Sequence, residues 1–257
     1  MIDLKSDADV AVMSEGGKKL GLIRQKLVRM ANAGTNLLDI EKQATELIRS
    51  EGGKPSFTTV EDYRWATCLC VNSEVVHGIP RNYTLKAGDV LTIDIGMIYG
   101  GFHTDTAWSL PVSGIKKNGD IPAATLSFLN TGEKILDAAI RAAKAGNRIG
   151  DISRTIQNGV ESAGYSVVAS LVGHGVGRKL HEEPQIPGIV REKREKTAEI
   201  TPGMTLAIEV IYALGRGNVV YANDDGWTIA TRDKSLSAVF EHTVAVTPAG
   251  PVILTQS

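Results

Sequence analysis

The sequence predicts an α+β fold of two similar halves, with four main helices and an antiparallel sheet. Four segments with a helical period of apolar residues carry capping signals at their ends, and strand-like apolar runs follow each pair of helices. A short pattern at 33–40, alanine-glycine and then aspartate-isoleucine, recurs at 145–152. We therefore expect halves of about 1–115 and 116–257 within a single domain, 1–257.

Each predicted helix begins and ends at a recognisable signal. Ser6 is a good N-cap for the first helix, which is expected to run to about Met30. The second is predicted from about Thr35 to about Ser50, before a pair of glycines. The third is expected over about 122–144 and the fourth over about 151–163, closed by Gly164.

The predicted strands carry most of the polar residues that lie in apolar surroundings. Strands are expected around 65–71, in a hairpin over 91–106, and at 166–171, 205–212, 226–231 and 239–246. A charge-rich stretch at 191–199 is interpreted as a solvated loop.

Composition excludes several classes of function. The net charge of −1 argues against binding to nucleic acid or a membrane surface through bulk electrostatics. No run approaches the roughly 20 apolar residues of a membrane span, and the polar start of the chain does not resemble a signal peptide. Two isolated thiols, Cys68 and Cys70, fit a reducing compartment. We expect a cytoplasmic protein, and we expect a monomer because no coiled-coil signal is present.

The most informative segment is the predicted hairpin that carries Asp94 and Asp105. If the turn is centred between Tyr99 and Gly100, the two aspartates are equidistant from it and lie opposite each other on one face. Their Cβ atoms would then be ~5 Å apart. Two carboxylates at this distance repel each other unless a cation lies between them, so the hairpin predicts a metal site.

Three more residues are candidate ligands. His174 lies between glycines, where little bulk hinders approach to the imidazole. Glu209 and Glu241 lie in otherwise apolar strands, where a buried carboxylate must be paired, coordinated or protonated. Each residue alone could be a loop histidine or a solvent-facing glutamate, but the combination favours ligands.

The candidate ligand set predicts hydrolytic chemistry. Four carboxylates and one imidazole suit Mn, Fe(II), Co or Zn, and their negative charge calls for two divalent ions ~3.5–4 Å apart. Such ions supply hydroxide at neutral pH and polarise a carbonyl. Two other histidines, His77 and His181, follow predicted strands in loops stiffened by proline, and surface positions are the alternative interpretation for both.

Together these motifs resemble the type I methionine aminopeptidases, which have the pita-bread fold of M24 metallopeptidases. The resemblance covers nearly the whole chain, and its most specific motifs are His77-Gly78-Ile79-Pro80, the Asp94/Asp105 hairpin with Gly101-Phe102, the glycine-framed His174, His181-Glu182-Glu183-Pro184, Asp225-Gly226-Trp227-Thr228 and Glu241-His242-Thr243. The resemblance implies removal of N-terminal methionine, when the second residue is small, from peptides and from nascent proteins, including those at the ribosome.

The resemblance also implies a role for each site residue. Asp94, Asp105 and Glu241 would bridge or chelate two ions, and His174 and Glu209 would complete the first. Glu209 would also serve as general acid/base. His77 and His181 would contact the scissile peptide and stabilise the tetrahedral intermediate. Cys68 and Trp227 would line the methionine pocket, although a core position is an equal alternative for Trp227.

Departures from the family pattern keep other functions open. The segment 57–67 lacks the usual glycine-aromatic-proline, so either Tyr63 or Trp65 could supply the pocket aromatic. Val210 stands where proline is usual, and 70–74 also differs from the family's usual run. One alternative is an aminopeptidase of this fold with another N-terminal preference, including aminopeptidase P and Xaa-Pro dipeptidase. The other is a non-catalytic binding protein, which would be expected to have lost ligands.

Overall fold

The computed structural model describes residues 2–114 and 121–256, and the predicted boundary between the halves, at about 115, lies outside these ranges. Within them are four helices, α1 (Asp7–Met30), α2 (Leu37–Ser50), α3 (Ala123–Ala142) and α4 (Ile149–Ser162). None of these helices combines the length and apolar character needed to cross a bilayer.

Thirteen strands occur in the described ranges. In chain order they are β1 (Lys54–Pro55), β2 (Thr67–Val71), β3 (Glu74–Val76), β4 (Val90–Tyr99), β5 (Phe102–Pro111), β6 (Ser166–Val167), β7 (Val172–Gly175), β8 (Glu182–Pro187), β9 (Thr205–Ala213), β10 (Val219–Tyr221), β11 (Ile229–Thr231), β12 (Ser237–Thr247) and β13 (Gly250–Ile253). Ten form one sheet with the central order β1-β4-β5-β12-β9-β7-β8, while β2, β6 and β13 pair with β4, β9 and β12. The small sheet has the order β10-β11-β3.

Each half of the chain builds its own apolar core against the large sheet. One core joins α1 and α2 to β2 and β4, through residues such as Leu27, Ile40 and Ile93. The other joins α3 and α4 to β9 and β12, through residues such as Leu136, Ile156 and Phe240. The large sheet is therefore a shared layer that brings strands from both halves side by side.

The repeated sequence pattern has a structural counterpart. Helices α2 and α4 are both 14 residues long, and each follows a glycine with positive φ, Gly34 at 95° and Gly146 at 86°. An isolated bridge at the N-cap holds each helix start, Asn36 to Thr84 and Arg148 to Glu199.

Several predicted boundaries move for identifiable reasons. Helix α4 begins at Ile149 because Asp151 occupies its third position, where the carboxylate accepts the Arg148 amide at 2.8 Å. The strand expected at 166–171 ends at Val167, since the Leu171 amide donates to Val168 O in a turn. The strand expected at 226–231 starts only at Ile229.

The predicted register of the hairpin is wrong by one residue at the turn. Gly100 and Gly101 form the turn with φ of 57° and 84°, as a type I′ turn requires, and Tyr99 pairs with Phe102. Asp105 therefore pairs with Gly96, and Asp94 pairs with Ala107. Because the shift is two positions along the strand, both aspartates remain on the same face as a diagonal pair.

Candidate metal centre and adjoining pocket

The five predicted ligands come from five adjacent strands of the large sheet. The sheet order β4-β5-β12-β9-β7 places one candidate on each strand. In that order they are Asp94, Asp105, Glu241, Glu209 and His174. Residues far apart in sequence therefore become neighbours because of strand order.

Strand register arranges these residues in two rows on one face. Glu241 pairs directly with Glu209, and Asp94 pairs with Ala107, which lies level with Glu241 because Phe240 pairs with Trp108. Asp105 and His174 lie in a second row, which is two residues farther along the strands than the first. Thr243 lies between them, and its hydroxyl accepts the Asp105 amide at 2.8 Å. The side-chain period of two directs both rows to the same side of the sheet.

The geometry and chemistry of this cluster fit divalent metal ions. One ligand atom each from Asp105, His174 and Glu241 lies within 4.8 Å of the others, and all three residues are buried. Asp94 Oδ1 is also buried, with no hydrogen-bond partner among the described residues. Asp94 and Glu209 lie beside this group of three, so their carboxylates complete a set of five oxygen and nitrogen donors.

The carboxylates show the electrostatic strain expected at a cation site. Burial raises the pKa of Asp94 to about 7. The pKa values of Asp105, Glu209 and Glu241 are raised well above the usual range, mainly by burial and secondly by repulsion from neighbouring carboxylates. Divalent cations would remove this repulsion. A cluster of mutually repelling buried carboxylates is therefore typical of a cation-binding site rather than of a packed core.

The imidazole of His174 is oriented as a metal ligand would be. Its Nδ1 lies 2.8 Å from Gly175 O, which can only accept, so Nδ1 carries the proton and Nε2 is free to coordinate. Burial lowers its pKa to about 4, so the ring is neutral at pH 7. The glycines that flank it are sterically required, since a Cβ at Gly173 would lie 2.6 Å from Ala207 O.

His77 and His181 are exposed to a cavity that opens onto the carboxylates. The cavity has a volume of about 880 Å³, and both histidines line it. The rings of His181 and His174 have centroids 4.5 Å apart. Partial desolvation by the pocket walls lowers the pKa values of His77 and His181, so both are predominantly neutral at pH 7.

An apolar pocket forms one side of the same cavity. Phe57, Tyr63, Cys68 and Leu180 form a buried cluster, against which Trp227 packs with its ring centroid 5.0 Å from that of Tyr63. The structure decides between the two candidate aromatics, because Tyr63 lines the cavity. Trp65 instead packs against the Tyr63 ring, with the two ring centroids 5.3 Å apart. Both Cys68 and Cys70 are free thiols.

Sequence reasoning missed two charged residues that contact the chain neighbours of site residues from outside the cavity. Lys5 is buried, and its Nζ donates to Glu182 at 2.7 Å, which attaches the N-terminal segment to the residue beside His181. Arg24 is buried behind the sheet and donates to Thr106, the neighbour of Asp105. Its signal was present in the sequence, because it interrupts the apolar stripe of the first helix.

Comparisons with known proteins agree with this architecture. The sequence matches the model of metallopeptidase family M24 over residues 11–248. Methionine aminopeptidase from Clostridium perfringens is 38% identical over 255 residues, 99% of each chain. The structure of methionine aminopeptidase from Thermotoga maritima matches with a TM-score of 0.94 at 36% identity over 100% of both chains. Prolidase from Pyrococcus furiosus matches with a TM-score of 0.76 at 19% identity, over 99% of this chain and 65% of that one, which shows a shared fold alone. The predicted α+β pita-bread fold is confirmed.

Proposed function

Because the chain belongs to metallopeptidase family M24, we propose that it is a methionine aminopeptidase, which removes N-terminal methionine when the second residue is small. The observation that carries this proposal is the meeting of five metal-ligating side chains, one from each of five adjacent strands, beside an apolar pocket. The full-length likeness to methionine aminopeptidases supports the same activity.

The proposed metal ligands are Asp94, Asp105, His174, Glu209 and Glu241. Asp94, Asp105 and Glu241 would bridge or chelate two ions, and His174 and Glu209 would complete the first. In support, one ligand atom each from Asp105, His174 and Glu241 lies within 4.8 Å of the others. Four carboxylates carry the charge that two divalent ions balance, and Mn, Fe(II), Co and Zn all accept these donors. When bound, such ions polarise a carbonyl and make hydroxide available at neutral pH.

The chain's own groups would orient the substrate and move protons. We assign His77 and His181 to the peptide bond, since each neutral ring can donate or accept one hydrogen bond to it from the cavity wall. We assign Glu209 as the general acid/base. Its carboxylate lines the same cavity, where it would take a proton from water and deliver it to the leaving amine.

The apolar pocket would hold the methionine side chain. Tyr63, Cys68 and Trp227 offer aromatic and sulfur surface, which matches the soft, unbranched thioether of methionine. The Tyr63 hydroxyl lies 2.8 Å from Thr67 O and 3.2 Å from Cys68 Sγ, so its polar end is satisfied and its ring is presented to the cavity.

The direct test is peptide cleavage by purified protein loaded in turn with Mn, Co, Fe(II) or Zn. We expect release of methionine from a Met-Ala-Ser peptide at a higher kcat/KM than release of leucine, proline or alanine from matched peptides. Preference for a non-methionine peptide would instead support the aminopeptidase with altered specificity. No cleavage with any ion would support a non-catalytic binding protein.

We also propose that residues 1–257 act as one catalytic unit, a monomer in the cytoplasm that acts on nascent proteins at the ribosome. Shared ligands support the single unit, since Asp94 and Asp105 come from the first half and the other three from the second. A reducing compartment would keep Cys68, which lines the cavity, as a free thiol. Light scattering would test whether the protein is a monomer, and co-sedimentation with ribosomes would test whether it binds them.

A further inference from the structure

Arg24 is a buried cation on the inward face of α1. Only 7% of the residue is exposed, and Leu20, Ile23 and Leu27 beside it are buried apolar residues. Burial lowers its pKa to about 10, while Glu133 and Glu241 act in the opposite direction. The guanidinium is therefore charged at neutral pH, although a buried charge is costly without compensation.

The contacts of Arg24 lie on the helix-facing side of β5. Its Nη1 donates to Thr106 Oγ1 at 2.8 Å, and its guanidinium carbon lies 4.6 Å from the centroid of the Trp108 ring. Across the part of the chain that the structure describes, no salt bridge involves Arg24. Besides the Thr106 hydroxyl and the Trp108 ring, its compensation therefore comes from charges at longer range, Glu133 and then Glu241.

Thr106 connects this cation to two proposed metal ligands. Its hydroxyl donates to Glu241 O at 2.8 Å, and its amide donates to Asp105 Oδ1 at 2.9 Å. The four carboxylates thus lie on one face of the sheet, and the Arg24 guanidinium lies on the other. Because Arg24 and Glu241 are both buried, the interaction between their charges is weakly screened.

We propose that Arg24 is a positioning residue that provides a fixed counter-charge for the carboxylate site. This charge stabilises the metal-free form of the site and lowers the affinity of the site for divalent cations. This inference rests on the ligand set of the proposed function. A positive charge held behind Glu241 attracts that carboxylate and repels a dication placed beside it. Arg24 therefore favours the metal-free state more than the loaded one, and keeps the ions exchangeable.

The test measures Mn²⁺ affinity by calorimetry and by electron paramagnetic resonance of free Mn²⁺, without reference to peptidase activity. Arg24→Met and Arg24→Gln remove the charge, and the glutamine variant can still donate to Thr106. We expect both to bind Mn²⁺ about tenfold more tightly, or more, as weakly screened charges at this range allow. Arg24→Lys, which keeps the charge, should stay within about threefold of wild type. So should Arg29→Met, which removes an exposed charge from the same helix.

Thermal unfolding adds a second readout. We expect the charge-removing variants to lose more stability without metal than with saturating Mn²⁺, because tighter binding offsets part of the loss. Unchanged or weaker Mn²⁺ binding by both folded variants overturns the role of Arg24. If Arg24→Met fails to fold, Arg24→Gln decides alone, and if neither folds, a threefold or greater weakening of Mn²⁺ binding in Arg24→Lys overturns the role. Failure of the wild-type protein to bind Mn²⁺ would instead reject the ligand set.

Discussion

The metal centre and the apolar pocket share one cavity but are built in different ways. Every proposed ligand lies on a strand of the large sheet, so the sheet itself holds the five donors. Although the β7–β8 register shifts at His174, pairing with Ala207 of β9 fixes that residue. Apart from Cys68 on β2, the pocket is assembled from the 3₁₀ turn Phe57–Thr59 and from loop residues distant in sequence, such as Leu180 and Trp227. A sheet tolerates little displacement, whereas loops tolerate substitution.

This contrast predicts which part of the cavity tolerates substitution without loss of the reaction. In the metal centre, moving one donor breaks a coordination set that needs all members at once. In the pocket, an apolar wall residue can change while the volume remains, at a cost of affinity and selectivity alone. Substitutions at the centre should therefore abolish chemistry, and those in the pocket should mainly change KM.

The largest expected effect is that of Asp105→Asn. The substitution keeps the shape of the side chain but removes a charge from the group of three that surrounds one point. We expect kcat/KM to fall by at least about 10³-fold, which is ~4 kcal/mol of transition-state stabilisation. Mn²⁺ titration should show weaker binding, and circular dichroism should be unchanged. Activity within tenfold of wild type would mean that this carboxylate is not a ligand.

The next largest effect is expected for His181→Ala. The ring is exposed to the cavity and lies beside His174, so its loss should leave the ligands in place. We expect kcat to fall by about 10²-fold, the usual contribution of a positioned proton donor or acceptor. Metal content, measured by atomic emission, should equal that of wild type. Loss of metal together with activity would instead assign His181 to the metal centre.

A pocket substitution should act on binding rather than on chemistry. Tyr63→Ala removes a ring that lines the cavity, so we expect KM for a Met-Ala-Ser peptide to rise roughly tenfold, the size that one lost apolar contact gives. Trp65→Ala is the matched control, since it removes an aromatic that packs on Tyr63 from outside the cavity. The distinction between the two residues fails if both variants change KM equally.

The smallest effect concerns Glu41, which attaches α2 to the pocket wall. Its carboxylate accepts from the Ala66 amide at 2.8 Å and from Thr67 Oγ1 at 2.6 Å. Burial, its largest influence, raises the pKa of Glu41 in the folded state. The stabilisation linked to its proton is therefore fully present below the unfolded pKa of ~4.3 and is lost as pH rises through the higher folded value.

Urea unfolding of metal-free wild type and Glu41→Gln from pH 4 to 7 tests this sign. The wild-type advantage in unfolding free energy should shrink by less than about 1 kcal/mol as pH rises. Taking the difference cancels the titration of the four site carboxylates, which both proteins share. An advantage that grows with pH would mean that hydrogen bonds to the ionised form outweigh its burial.

Much of the fold and the centre could be predicted from local signals. Ser6 caps α1 as expected, its hydroxyl accepting the Asp9 amide, because capping depends on neighbouring residues alone. Glu209 and Glu241 were recognisable because each interrupts an apolar strand. The turn of the hairpin was misplaced by one residue, since two adjacent glycines left its centre open until strand pairing placed both in the turn.

Local sequence pattern specifies which side chains are available and which face of each strand they share, because the period of two is a local property. Tertiary packing places β12 between β5 and β9, and so brings Glu241 to Asp105 and Glu209. It also decided that Tyr63 rather than Trp65 lines the cavity, and that Arg24 lies behind the carboxylates. These facts depend on contacts between distant segments, which packing of the whole chain selects and no local pattern specifies.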